Sequence, residues 1–182
     1  DFAEPLFVFA IMVVAGSRPI LELANAGVRI VAGALPMAGA PAMYFTVLAF
    51  VPLLGSFITE PAAMTLAALI LRDRFFASGL SNRLKYATVG TLFVNISIGG
   101  VLTSFAAPPV LMVAGKWGWD TAFMMETFGW RAASAVLINA AIVTWMYRRE
   151  LAAMEVKPEP ARLGLPKPVL LLHAGLLVAV VM

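Results

Sequence analysis

The chain has 182 residues, of which 62% are hydrophobic and 13% charged, with a mean hydropathy of +0.92. A soluble globular domain is about half apolar and about a quarter charged, so this composition excludes a water-soluble fold, a disordered chain and a nucleic-acid binder. The net charge of +3 comes from 13 basic residues crowded into a few short loops, and it reads as a topology signal rather than a polyanion footprint.

The absence of cysteine removes disulfide frameworks, thiolate nucleophiles and cysteine metal sites, and a single histidine leaves little scope for a histidine-based metal centre. The expectation is an all-α polytopic membrane protein, a transporter-like helical bundle with discontinuous helices or re-entrant hairpins. The chain starts at Asp1 and stops at Met182 inside an apolar run shorter than the roughly 20 residues a spanning helix needs. It therefore reads as a fragment of a longer protein.

Residues 5–17 are a short apolar stretch that would complete a helix begun upstream. In residues 19–35, Glu22, Asn25 and Arg29 recur at spacings of three and four, which puts them on one helical face. That pattern predicts an interfacial helix, with the lining of a polar cavity as the alternative. Glu60 is the only charge in residues 30–71, where Pro36, Gly39, Pro41, Pro52, Gly55 and Pro61 interrupt the apolar sequence. The blocks 42–54 and 62–71 look too short to span alone, so a broken segment is expected around residues 52–65.

Arg72, Arg74, Arg83 and Lys85 make a basic loop. Residues 86–115 carry no charge and contain Asn95, Ser97, Gly99-Gly100, Thr103-Ser104 and Pro108-Pro109, which predicts a second break around 95–109. Trp117, Trp119 and Trp130 mark an aromatic belt, and residues 132–147 read as an ordinary spanning helix. The transporter region thus covers residues 1–149. A linker follows at 150–167, and residues 168–182 begin a truncated transmembrane helix. The loops 72–85 and 148–167 hold four and five Lys/Arg, so both are assigned to the cytoplasm and 116–130 to the outside.

Residues 56–64 align with 104–112 at a constant offset, with Ser, Phe, Pro and Met matching, a weak internal repeat. Two Gly/Pro-interrupted apolar segments in one chain point to the binding site of a secondary transporter. Glu60 is the sharpest residue, because an ionisable group inside a spanning segment marks a functional site by default. Pro61 after it suits a helix start, so a simple helix cap is the competing reading. Thr59 and Thr65 are candidate oxygen neighbours. Asn95, Ser97, Thr103 and Ser104 offer neutral oxygens, although buried amides and hydroxyls often only join helices. Asp120 reads as a helix cap, Asn139 as interhelical glue, and His173 as a proton site only if its neighbours support one.

GSFITEPAAMTLAALIL followed by FVNISIGGVLTSFAAPPVLMVAGKWGWD, with Thr59-Glu60-Pro61 and Asn95-Ile96-Ser97 its most distinctive parts, resembles the Na+/H+ antiporter family of the broad ion-transporter superfamily. That superfamily also holds arsenite permeases and citrate or dicarboxylate carriers. The resemblance implies inverted repeats, each with a re-entrant hairpin and a broken helix near the substrate. The Ser-Asn-Thr signatures of dicarboxylate carriers do not appear in this chain.

The reading is a cation/proton antiporter in a bacterial inner membrane, multi-pass, with Glu60 holding Na+ or H+ alongside Thr59, Asn95, Ser97, Thr103 and Ser104. Its alternatives are an anion carrier and a structural membrane subunit. The partners expected are membrane lipid, Na+, H+ and the rest of a longer chain, with a homodimer left open. No cofactor, nucleic acid or enzymatic chemistry is expected.

Overall fold

A computed structural model describes residues 17–154 together with 168, 169, 171, 172 and 175, and every regular element among them is helical. Residues 1–16, His173 and most of residues 155–182 lie outside the described residues. Helix α1 is Arg18–Ala34, with Pro19 in its first turn, where a missing N–H costs little. Its Ala24 and Val28 are buried, but Glu22, Asn25 and Arg29 are half-buried just as Leu23 and Val31 are, and the apolar Ile30 is exposed, so the polar residues that share a face in sequence do not form a separate solvent-facing side. Leu35 ends the helix at φ −72° and ψ 148°, the extended conformation that the following Pro36 imposes.

Helix α2, Gly39–Ile58, is the centre of the bundle, touching α1 and every long helix that follows. Its 20 residues include Pro52, and the helix continues through it. The sequence-based expectation that Pro52 interrupts the segment, leaving 42–54 too short to span, is therefore corrected. Proline removes the N–H that would bond the Leu48 carbonyl. Asn95 Nδ2 donates to that carbonyl instead, at 2.8 Å, so the lost hydrogen bond is replaced from a neighbouring helix.

The real break is one residue, Thr59. Helix α3, Glu60–Arg74, folds straight back on α2. A Cβ added to Gly55 would lie 3.1 Å from that of Ala63, and the Tyr44 and Phe75 rings meet edge to face at 5.4 Å at the far end. A short 3₁₀ turn, Phe76–Ser78, leads to α4, Asn82–Gly99, whose N-terminus is capped by the Ser81 hydroxyl. Asn95 and Ser97 lie within this regular helix, so the second break begins only after Gly99, later than the sequence suggests. It consists of the 3₁₀ turn Gly100–Leu102 and the non-helical residues 103–107.

After the break come α5, Pro108–Trp117, and α6, Thr121–Met124. A π-turn, Met125–Gly129, then runs into α7, Trp130–Met146, followed by the short α8, Arg148–Ala152. Tyr44 meets Thr88, Leu48 meets Asn95 and Ser56 meets Gly99, so α2 and α4 run parallel. Asn95 to Val136 and Leu102 to Gly129 set α7 antiparallel to them.

Glu150 accepts from the backbone and hydroxyl of Ser81 at 2.8 and 2.9 Å. That contact brings the loop between α3 and α4 together with α8 at one end of the bundle. Trp119, Phe123 and Phe128 cluster at the other. Both breaks lie on the tryptophan side. At 1.5 Å per residue, Gly99 stands roughly 20 Å along α4 from Tyr86.

Large apolar side chains face outward on α4 and α7, among them Phe93, Ile138, Ile142 and Trp145, while α7 buries Ala132, Val136, Ala140 and Val143. Small residues inside and large ones outside suit helices whose surroundings are as apolar as their core. Among the described residues, Gly39–Ile58 and Asn82–Leu102 are long and apolar enough to cross a membrane.

Candidate functional site

The two breaks meet. The Glu60 N–H donates to the Ala106 carbonyl at 3.3 Å, joining the start of α3 to the residues that precede α5. Ser56, in the last turn of α2, lashes the same junction: its hydroxyl donates to the Gly99 carbonyl and accepts from the Leu102 N–H at 3.0 Å. Its own carbonyl accepts from the Thr103 hydroxyl at 2.7 Å. A serine at this point can do so because the terminal carbonyls of a helix have no intrahelical donor. Two helix C-termini, of α2 and α4, and two N-termini, of α3 and α5, therefore share one small region.

Glu60 opens α3 with its carboxylate in the first turn, where a negative charge is stabilised by the helix end. Oε1 lies 3.5 Å from the Ser97 hydroxyl of α4. Oε2 faces Gly100, where a Cβ would stand 3.8 Å from the carboxylate oxygen and 3.3 Å from the Ala107 methyl. Glycine at 100 leaves the carboxylate room that a larger residue would take. Thr59, directly before it, is 4% exposed and has no hydrogen-bond partner for its hydroxyl oxygen. Its backbone sits at φ 78° and ψ 149°, a region that glycine occupies almost alone. A β-branched residue there with an orphaned buried hydroxyl is costly on two separate counts.

Of the six residues singled out from sequence, the structure brings Thr59, Glu60, Ser97 and Thr103 to this junction. Ser104 turns toward α6, its hydroxyl 3.4 Å from that of Thr121. Asn95 is wholly buried and spends both amide hydrogens on the carbonyls of Leu48 and Val136, while its oxygen accepts from Asn139. Thr65 donates to the Pro61 carbonyl of its own helix. Asp120 caps α6 by accepting from the Phe123 N–H at 2.8 Å, as expected of a residue preceding a helix. Among the described residues no three His, Cys, Asp or Glu gather to hold a metal ion, so any cation here would rest on one carboxylate and neutral oxygens. Ser56 was not among the six. Its match to Ser104 in the weak repeat was the available signal.

Helix breaks that meet around one carboxylate, within a bundle whose large apolar side chains face outward, are features of ion-handling membrane proteins. The family described as "Putative Na+/H+ antiporter" matches residues 1–182, and the chain belongs to it. That description places the chain, at a coarse level, with cation/proton antiporters of the membrane. No curated protein and no solved structure matches the chain.

Proposed function

We propose that this chain carries the coupling site of a multi-pass cation/proton antiporter of the bacterial inner membrane, with Glu60 binding Na+ and H+ in alternation. The single observation that carries the reading is the carboxylate of Glu60 at the meeting point of two helix breaks, with the Ser97 hydroxyl at 3.5 Å and the unpartnered Thr59 hydroxyl on the preceding residue. Na+ is a hard cation that takes oxygen ligands. One carboxylate that accepts either a proton or a sodium ion exchanges them by competition. Thr103 stands at the same junction as a further oxygen, whereas Asn95 and Ser104 are turned to Leu48 and Val136 and to Thr121.

An anion carrier is the second reading, and one observation favours it: the N-termini of α3 and α5 converge here, and such ends attract negative charge. The sequence weakens that attraction. Pro61, Pro108 and Pro109 occupy the first turns and supply no N–H, and the Glu60 N–H is already bonded to Ala106. The basic residues of these two helices, Arg72, Arg74 and Lys116, lie in their last turns. A cation accords better with this donor-poor, carboxylate-bearing junction.

Glu60→Gln keeps shape and hydrogen-bonding capacity but cannot ionise. In everted vesicles bearing the full-length protein at matched expression, sodium-induced pH change should fall to background. Retained exchange with an unchanged pH profile would reduce Glu60 to a helix cap.

A further inference from the structure

Pro52 leaves the Leu48 carbonyl without its helical donor, and both residues are buried in the middle of α2. The carbonyl would be an unsatisfied group in an apolar interior, where no water can reach it. Asn95 supplies the donor at 2.8 Å. Its second amide hydrogen reaches the Val136 carbonyl at 3.2 Å, and its oxygen accepts from Asn139 at 3.1 Å. These two other contacts are less demanding. Val136 lies inside the regular helix α7, where the N–H of Ala140 bonds the same carbonyl. Leu48 is the one carbonyl of the set for which Asn95 replaces a missing backbone bond.

One turn further on, α4 presents Gly99 to Pro52 itself. A Cβ on Gly99 would stand 2.4 Å from the Pro52 carbonyl oxygen, so the two backbones are in direct contact. One turn beyond that, Ser56 is tied to Gly99, Leu102 and Thr103. Thr59 and Glu60 follow at once. The spacing 48, 52, 56 along α2 therefore forms a row of attachments to α4 that ends at the proposed site.

We infer that Asn95 is a positioning residue rather than an ion ligand: it repairs the carbonyl that Pro52 orphans, and so holds α2 against α4 in the register that sets Thr59 and Glu60. This inference rests on the antiport reading for its transport arm and on the structure alone for its stability arm. The two residues are also predicted to be coupled: once residue 52 can donate, Leu48 no longer needs Asn95.

The experiment compares Asn95→Leu, Pro52→Ala and the double variant in the full-length protein, with Asn95→Ala as a smaller alternative should leucine not be accommodated. Two readouts are taken, thermal unfolding in detergent and Na+-driven proton exchange in vesicles. Asn95→Leu should lower the unfolding midpoint and slow exchange at least tenfold. Pro52→Ala alone should stay within twofold of wild type. The double variant should recover more than half of both losses, with the sodium concentration for half-maximal exchange and the pH midpoint unchanged from wild type.

If the double variant is no better than Asn95→Leu in either readout, the repair is not what Asn95 does. If stability recovers but the half-maximal sodium concentration stays raised, Asn95 is a ligand after all. Should the wild-type protein move neither ion, the antiport reading fails by itself. The rescue of the unfolding midpoint would still decide the role of Asn95.

Discussion

A single methyl at Gly99 tests the packing on which the site depends. An alanine Cβ at this position would lie 2.4 Å from the Pro52 oxygen, 2.6 Å from its carbonyl carbon and 3.1 Å from the Leu53 nitrogen. All three are backbone atoms, so no rotamer change relieves the contact. Carbon and oxygen approach comfortably at about 3.3–3.6 Å, and α2 and α4 must therefore separate by roughly 1 Å. That shift would carry the 2.8 Å Asn95–Leu48 and 3.0 Å Leu102–Ser56 bonds beyond hydrogen-bonding range.

Overpacking costs about 1–3 kcal/mol, and each hydrogen bond lost adds about 1 kcal/mol. The better helix propensity of alanine returns less than about 1 kcal/mol at a helix end. The net expectation is a loss of about 2–4 kcal/mol, or roughly 5–15 °C in the unfolding midpoint of a domain this size. Gly90→Ala is the internal control, because a Cβ there meets nothing within 4 Å; it should melt at or slightly above wild type. The measurement is thermal unfolding of the full-length protein in detergent. Equal midpoints for Gly99→Ala and Gly90→Ala would show that α2 and α4 do not approach so closely, and the geometry of the junction would fall with that result.

Two further outcomes follow from the same geometry. Thr59→Gly removes a backbone strain of about 1–3 kcal/mol at the cost of about 0.5–1 kcal/mol of added chain entropy, so it should unfold at or above the wild-type temperature, whereas Thr59→Ala, which keeps the strain, should not. Both should weaken sodium-dependent exchange; wild-type apparent sodium affinity in Thr59→Gly would remove its hydroxyl from the site. The topology is read by labelling Ser78→Cys and Lys116→Cys, a pair free of the left-handed backbone that Gly79 and Gly118 adopt, in intact cells with an impermeant external thiol reagent. Position 116 should label and position 78 should be protected, and the reverse pattern would invert the assignment.

The parts of the fold legible in sequence are those whose cause is local. The Glu22-Asn25-Arg29 spacing produces α1, Asp120 caps α6, and Thr59-Glu60-Pro61 marks the start of α3. Even the weak repeat has a structural counterpart: α3 and α5 begin at residues 60 and 108, the offset at which Ser56 aligns with Ser104. Pro52 suggests a break that the helix does not make, because its consequence is settled elsewhere. Whether a proline interrupts a buried helix depends on whether the freed carbonyl finds another donor. Here the donor is Asn95, 43 residues later on another helix, and nothing in the sequence around Pro52 announces it. The same contact explains why the second break begins later than residue 95: Asn95 sits in regular helix and serves as the interhelical tie that keeps α2 regular.

For the site, residue type was legible and direction was not. Asn95 and Ser97 sit two apart on one helix, and residues at that spacing do not share a face. Asn95 therefore points into the bundle toward Leu48 and Val136, while Ser97 points toward Glu60. Helical periodicity alone could have separated them had the helix been known to continue to Gly99. Thr103 and Ser104 are adjacent outside any helix, so no period governs them, and their division between Ser56 and Thr121 is settled by tertiary contact. Thr59 is the case where sequence and structure reinforce each other. A chain selected for stability alone would place glycine at φ 78°. A threonine that accepts the strain and also leaves its buried hydroxyl unpartnered is what a junction would retain if that oxygen serves the ion at Glu60.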